Sequence, residues 1–169
     1  MLSPQMQTYL SSLTALHSAH LQAQGSRSLN RPVRRSPITT AHPLIRTHPV
    51  TGWKSLFFNP GFVTKIVGVP KVESDHIIAL LNEVVATSPE FQVRFQWRVG
   101  DVAFWDNRVT NHCATYGFAP HRRHAVRVCN HAERPYLDHN SRSQEEEMSE
   151  RYGVPKASKD GAGVVNYND

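Results

Sequence analysis

Cysteine is scarce: Cys113 and Cys129 are the only two in 169 residues. Two are too few for a disulfide framework, and neither sits at a CxxC or other zinc-ligand spacing. Both read as small packing residues of a protein from a reducing, cytoplasmic compartment. No apolar run approaches the roughly 20 residues of a membrane span. The start has neither the basic n-region nor the continuous apolar core of a secretory signal. No membrane partner is expected. Acid is missing from the whole first part of the chain. No Asp or Glu precedes Glu73, whereas Arg27, Arg31, Arg34, Arg35, Arg46, Lys54, Lys65 and Lys71 all do, within a formal net charge of +5. An acid-free start with Ser and Arg can suggest a mitochondrial transit peptide, but no basic residue comes before Arg27. A nucleic-acid surface is also disfavoured. These arginines cluster in a Pro/Ser-rich stretch without interleaved aromatics or a recognisable binding module, so no nucleic-acid partner is expected.

The length allows one domain at most, and a composition 39% hydrophobic and 20% charged suits a globular protein on the polar side. Ser3-Pro4 has the form of a helix start, with Ser as N-cap and Pro at the first helical position. Met6, Leu10, Leu13 and Leu16 follow at helical spacing, which predicts one helix fading near residues 22–25. Residues 25–40 read as an exposed basic loop, so residues 1–40 form a helix plus a flexible loop. Two His-Pro pairs, at His42 and His48, favour extended backbone. A short strand is expected over Trp53–Asn59, with a turn at Asn59-Pro60-Gly61. Glu73–Ala86 is the clearest helix, with Ile77, Leu80, Leu81, Val84 and Val85 on one face. Alternation over Phe91–Arg98 predicts a half-buried strand, and further strands are expected at Val102–Trp105, His112–Tyr116 and Arg122–Asn130. Residues 137–169 form a polar tail expected to be loosely ordered.

The densest chemistry lies in Trp105–Arg127, WDNRVTNHCATYGFAPHRRHAVR. On a strand, period two would place Arg123 and Arg127 on one face, roughly 13 Å apart. Guanidinium forks at that spacing suit two anions, or the two ends of one pocket. On spacing alone an exposed, solvated face is the favoured reading of the pair. His112 alone is more often a packed or surface residue than a ligand. A two-histidine, one-carboxylate iron site needs two further ligands, and no His-x-Asp occurs in the chain. His131-Ala-Glu133 matches His-x-carboxylate in form, but it lies after the arginine segment and reads as coincidence.

Taken together, HPLIRTHPVTGWKSLFFNPGF and FQVRFQWRVGDVAFWDNRVTNHCATYGFAPHRRHAVRV closely resemble the C-terminal half of the TauD/TfdA family of Fe(II)- and 2-oxoglutarate-dependent dioxygenases. The match runs from about His42 to Pro135 and less distinctly back through the first helix. The resemblance implies a mainly β, α+β fold: an incomplete double-stranded β-helix, or jelly roll, over residues 41–136 with flanking helices. It implies His112 as the late metal ligand and Arg123 as the group binding the distal carboxylate of 2-oxoglutarate. Arg127 would face the substrate's acidic group, and Phe62 would line the substrate pocket. Trp105, Asp106 and Asn107 would support the site. The implied cofactors are Fe(II) and 2-oxoglutarate, and the implied substrate is a small anion such as a sulfonate. Without a His-x-Asp pair the ligand set is incomplete. The expectation is a truncated oxidoreductase, inactive as this chain. The alternatives are a non-enzymatic, degenerate paralogue serving as an interaction module, or a fragment of an ordinary full-length dioxygenase. Strands without neighbours would favour a homo-oligomer or pairing with a full-length homologue.

Overall fold

A computed structural model describes residues 2–154. Helix α1 spans Pro4–Ser11, with Ser3 Oγ accepting from the Met6 amide at 3.2 Å as the expected N-cap. The single long helix predicted from Ser3 stops there. Thr14–Ser18 is strand β1, and a second helix, α2, follows at His20–Ser28. The spacing of Leu10, Leu13 and Leu16 suits a helix, but tertiary pairing overrides it. Strand β1 is the central strand of a three-stranded antiparallel sheet. It lies between β2 (Thr39–Pro43) and β5 (Val63–Val67), so its backbone groups find partners on both sides. This sheet joins segments on both sides of residue 40.

Strands β3 (Ile45–Thr47) and β4 (Lys54–Leu56) form an antiparallel hairpin with Arg46 opposite Ser55. Its turn is closed by the Gly52 amide on the His48 carbonyl at 2.8 Å, and by the His48 amide on the Trp53 carbonyl at 2.9 Å. Gly52 has φ +73°, a conformation that costs glycine least. The expected strand near Trp53–Asn59 and the turn at Asn59-Pro60-Gly61 are both present.

Helix α3 occupies Lys71–Thr87 and buries Ser74, Ile77 and Leu81. It packs on β5, where Ser74 Oγ accepts from the Ile66 amide at 2.9 Å. Leu10, Leu13, Ala15, Leu44, Phe58, Val63, Ile66, Ile77 and Leu81 form the core. The core therefore lies wholly before residue 92.

Beyond α3 the chain departs from expectation. A single 3-10 turn at Pro89–Phe91 is followed by extended, turn-broken backbone. None of the strands predicted at 91–98, 102–105, 112–116 and 122–130 forms a ladder. Alternation supplies one apolar face but no partner backbone, and strand pairing requires both. Val93, Phe95 and Trp97 remain exposed accordingly. Helices carry more residues than strands among the described residues, so the fold is mixed α+β and not mainly β. Within the polar tail, Gln144–Tyr152 forms helix α4, held by a reciprocal Ser143–Glu146 capping box. Residues 155–169 of that tail lie outside the described residues.

Candidate functional site

The loop bearing His112 is fixed to the β3–β4 hairpin by charge. Asp106 sits at its start. Arg108 grips this carboxylate through Nε at 2.9 Å and Nη2 at 2.6 Å, and the Arg108 amide adds a bond of 2.9 Å. These bonds, together with His48, hold the Asp106 carboxyl well below the usual carboxylate range. On the hairpin, His48 Nδ1 accepts from the Thr51 amide at 3.2 Å, which leaves the proton on Nε2 to donate to Asp106 Oδ2 at 3.1 Å.

Behind this contact, Arg46 is fully buried on β3 and pairs with Glu133. Glu133 also meets Arg108 Nη1 at 3.4 Å. Its own backbone amide, then Arg46 and Arg108, lower its pKa. Arg46, Glu133, Arg108, Asp106 and His48 thus form a continuous chain of contacts between two segments of the fold. Glu133, which matched a metal motif only in form, serves this chain.

The far end of the loop is pinned as well. Asn111 donates to the Phe58 carbonyl at 2.8 Å and accepts from Asn59 Nδ2 at 3.1 Å. Asn59 Oδ1 in turn accepts from the Gly61 amide at 2.9 Å. One asparagine pair therefore ties the residue next to His112 to the turn that carries Phe62. Phe62 is 37% exposed, and its carbonyl accepts from the Ser18 amide at 2.8 Å, so it stands where this turn meets β1.

The expected site residues are less closely organised. His112 is exposed and stacks on Trp105, with ring centroids 5.4 Å apart. Trp105 itself is oriented by a 2.8 Å bond from Nε1 to Asn107. Arg123 lies over the Phe118 ring and reaches the Thr115 carbonyl at 3.5 Å. Arg127 is exposed, on backbone that forms no strand, so the shared strand face expected for the two arginines is not present. Sequence reasoning gave Asp106 a supporting role but missed its partners. The signal was available in HPLIRTHP, where Arg46 and His48 alternate on a segment otherwise apolar enough to be buried.

The sequence profile described as Taurine catabolism dioxygenase TauD, TfdA family matches residues 1–129. The chain belongs to the TauD/TfdA family. A Schizosaccharomyces pombe protein provisionally named alpha-ketoglutarate-dependent sulfonate dioxygenase is 44% identical over 149 residues, covering 88% of this chain and 38% of its own length. The Saccharomyces cerevisiae alpha-ketoglutarate-dependent sulfonate dioxygenase is 39% identical over 138 residues, covering 81% of this chain and 34% of its own. Among solved structures, a taurine dioxygenase from Burkholderia xenovorans is 40% identical with a TM-score of 0.51, over 64% of this chain and 33% of that one. The chain thus spans roughly a third of the length of these relatives.

Iron is the metal that family membership implies. Among the described residues no group of three or more His, Cys, Asp or Glu side chains is placed to hold a metal ion. His112 offers one ligand where a facial triad needs three, so these residues do not by themselves fit an iron centre. Among them, too, no helix is long and apolar enough to cross a membrane.

Proposed function

We propose that this chain carries the late metal-ligand and anion-binding portion of an Fe(II)- and 2-oxoglutarate-dependent dioxygenase acting on a small acidic, sulfonate-like substrate. The observation that carries the reading is the family match across residues 1–129, which includes the W-D-N-R-x-T-x-H run, combined with the pinning of that run at both ends. In this reading residues 41–136 correspond to the C-terminal half of a jelly roll. His112 is one metal ligand, Arg123 binds the distal carboxylate of 2-oxoglutarate, Arg127 faces the substrate's acidic group and Phe62 packs on its carbon skeleton. The arginines neutralise and orient anions with forked hydrogen bonds. Neither depends on the metal for that task. Two more ligands must come from another segment or subunit before oxidation can occur.

The experiment is succinate release from 2-oxoglutarate with Fe(II) and taurine, paired with calorimetric titration of 2-oxoglutarate. The reading expects 2-oxoglutarate binding that Arg123→Gln abolishes, and little turnover by this chain alone. Binding of equal strength in the Arg123→Gln variant would overturn the assignment of that residue.

A second reading, a non-enzymatic interaction module, is favoured by one observation. Most large apolar side chains of residues 91–128, Trp105 excepted, are exposed on backbone without ladder partners. Such a segment suits pairing with a second copy or a full-length homologue. Co-elution with a full-length homologue in size-exclusion chromatography would support it, and separate elution would count against it.

A further inference from the structure

Four buried polar atoms without a hydrogen-bond partner among the described residues belong to three side chains that meet one ring, Phe57, and to a serine on the same hairpin face. They are Nε2 of His17, Nδ1 of His42, Nε of Arg46 and Oγ of Ser55. His17 stacks on Phe57 with centroids 4.9 Å apart, His42 meets it edge-on at 5.8 Å, and the Arg46 guanidinium lies 5.1 Å from the same ring. Ser55 is directly opposite Arg46 in the β3–β4 register, so the two side chains leave the same face of the hairpin. It also precedes Phe57 by two residues, the spacing that keeps side chains on one side of an extended chain. His17 and His42 are diagonal neighbours on β1 and β2, with rings 5.2 Å apart. Four elements therefore bring unpaired polar atoms to one place, where an isolated orphan would be rare.

All four atoms can donate. Arg46 Nε–H and the Ser55 hydroxyl do so by nature, and each imidazole does so in the tautomer that places its proton on the orphaned nitrogen. The surrounding charge is positive. Arg134 and Arg46 both act on His42, and Glu133, paired with Arg46, offsets one of these two guanidinium charges. A cation is disfavoured at such a place and an anion of one charge balances it. Arg46 alone is fully buried. His17, His42 and Ser55 are half-buried and border solvent, while the four unpaired atoms themselves are turned inward.

We propose that this face binds a small singly charged oxyanion, a carboxylate or sulfonate, through donors from Arg46, Ser55, His17 and His42. The site is separate from Arg123 and Arg127 and does not depend on the oxygenase reading.

The test uses the full chain labelled at histidine carbons, titrated with methanesulfonate and separately with acetate while the imidazole Cε1–H signals are followed by NMR. The expected result is a saturable shift of the His17 and His42 signals together. Ser55→Ala should weaken binding by about tenfold, the effect of one hydrogen bond to a charged partner. That variant removes an unpaired hydroxyl, so it should fold at least as well as wild type. His17→Phe, which keeps a ring on Phe57, should weaken binding to a similar degree. The Arg123→Gln/Arg127→Gln double variant should bind as wild type does. Absence of a saturable shift up to tens of millimolar would overturn the proposal, leaving only water at these atoms. So would loss of the shift in the Arg123→Gln/Arg127→Gln variant with retention in Ser55→Ala.

Discussion

His48 Nε2 and Asp106 Oδ2 lie 3.1 Å apart, although 58 positions separate them in the chain. His48 belongs to the hairpin turn after β3, and Asp106 opens the loop that carries His112. Because Arg108 and Glu133 extend this contact to Arg46, the loop is attached to the hairpin through ionised groups and not through apolar packing.

That attachment should respond to acid. The Asp106 carboxyl is held below its ordinary range by Arg108 and His48, so its contribution is fully present above the unfolded carboxylate pKa. It is lost as pH falls through the lowered folded value. Hydrogen exchange at the Arg108 amide should therefore accelerate only in strong acid. Asp106→Asn should accelerate it at neutral pH, and unchanged exchange in that variant would refute the attachment.

The opposite end of the loop depends on Asn111. Replacing it with Ala leaves the Phe58 carbonyl without its donor and frees Asn59. The expected loss is about 1–2 kcal/mol of stability, read as a lower urea midpoint at unchanged slope. The Trp105–His112 ring contact should loosen as well, visible as a smaller ring-current shift on the imidazole protons.

His17 makes stability pH-dependent in a different window. Burial, with His42 as a like-charged neighbour, pushes its pKa down from 6.5 to about 4. Between those values the unfolded chain binds a proton that the folded chain does not, so stability is fully present above 6.5 and falls as pH drops towards 4. Thermal melts at constant ionic strength should show this decline in wild type. In His17→Phe the decline should be markedly shallower, and an equal slope would exclude His17 as its source.

Ser74 links α3 to β5 through one buried hydrogen bond. Ser74→Ala leaves the Ile66 amide buried and unpaired, at a cost of about 1–3 kcal/mol. Ser74→Thr keeps the oxygen and should lose less. Equal losses in the two variants would show that packing, not the hydrogen bond, sets the value of this position.

Leu44, the residue between β2 and β3 in the chain, is fully buried in the core. Leu44→Ala should cost about 2–5 kcal/mol by lost burial and a cavity, measured by chemical denaturation. Exposed Val93, outside every ladder, should tolerate Ala within about 0.5 kcal/mol.

The family was legible because W-D-N-R-x-T-x-H and R-R-x-x-x-R are specific as linear patterns, whatever their surroundings. Helix α3 was legible for a related reason. Ile77 and Leu81 recur at helical spacing over 17 residues, long enough for periodicity to decide. The turn at Asn59-Pro60-Gly61 needed only local chemistry. The helix assumed over Leu13–Leu16 and the strands assumed over residues 91–130 show where that reasoning stops. Periodicity states which face of a segment is apolar, whereas a ladder also needs a second backbone at hydrogen-bonding distance. Strand β1 has one on each side and becomes a strand despite helical spacing; residues 91–98 alternate perfectly and have none. The roles of Arg46, His48 and Glu133 were likewise decided in three dimensions, since a charge pair between residues 87 positions apart is set by how the chain folds back and leaves no periodic trace in the sequence.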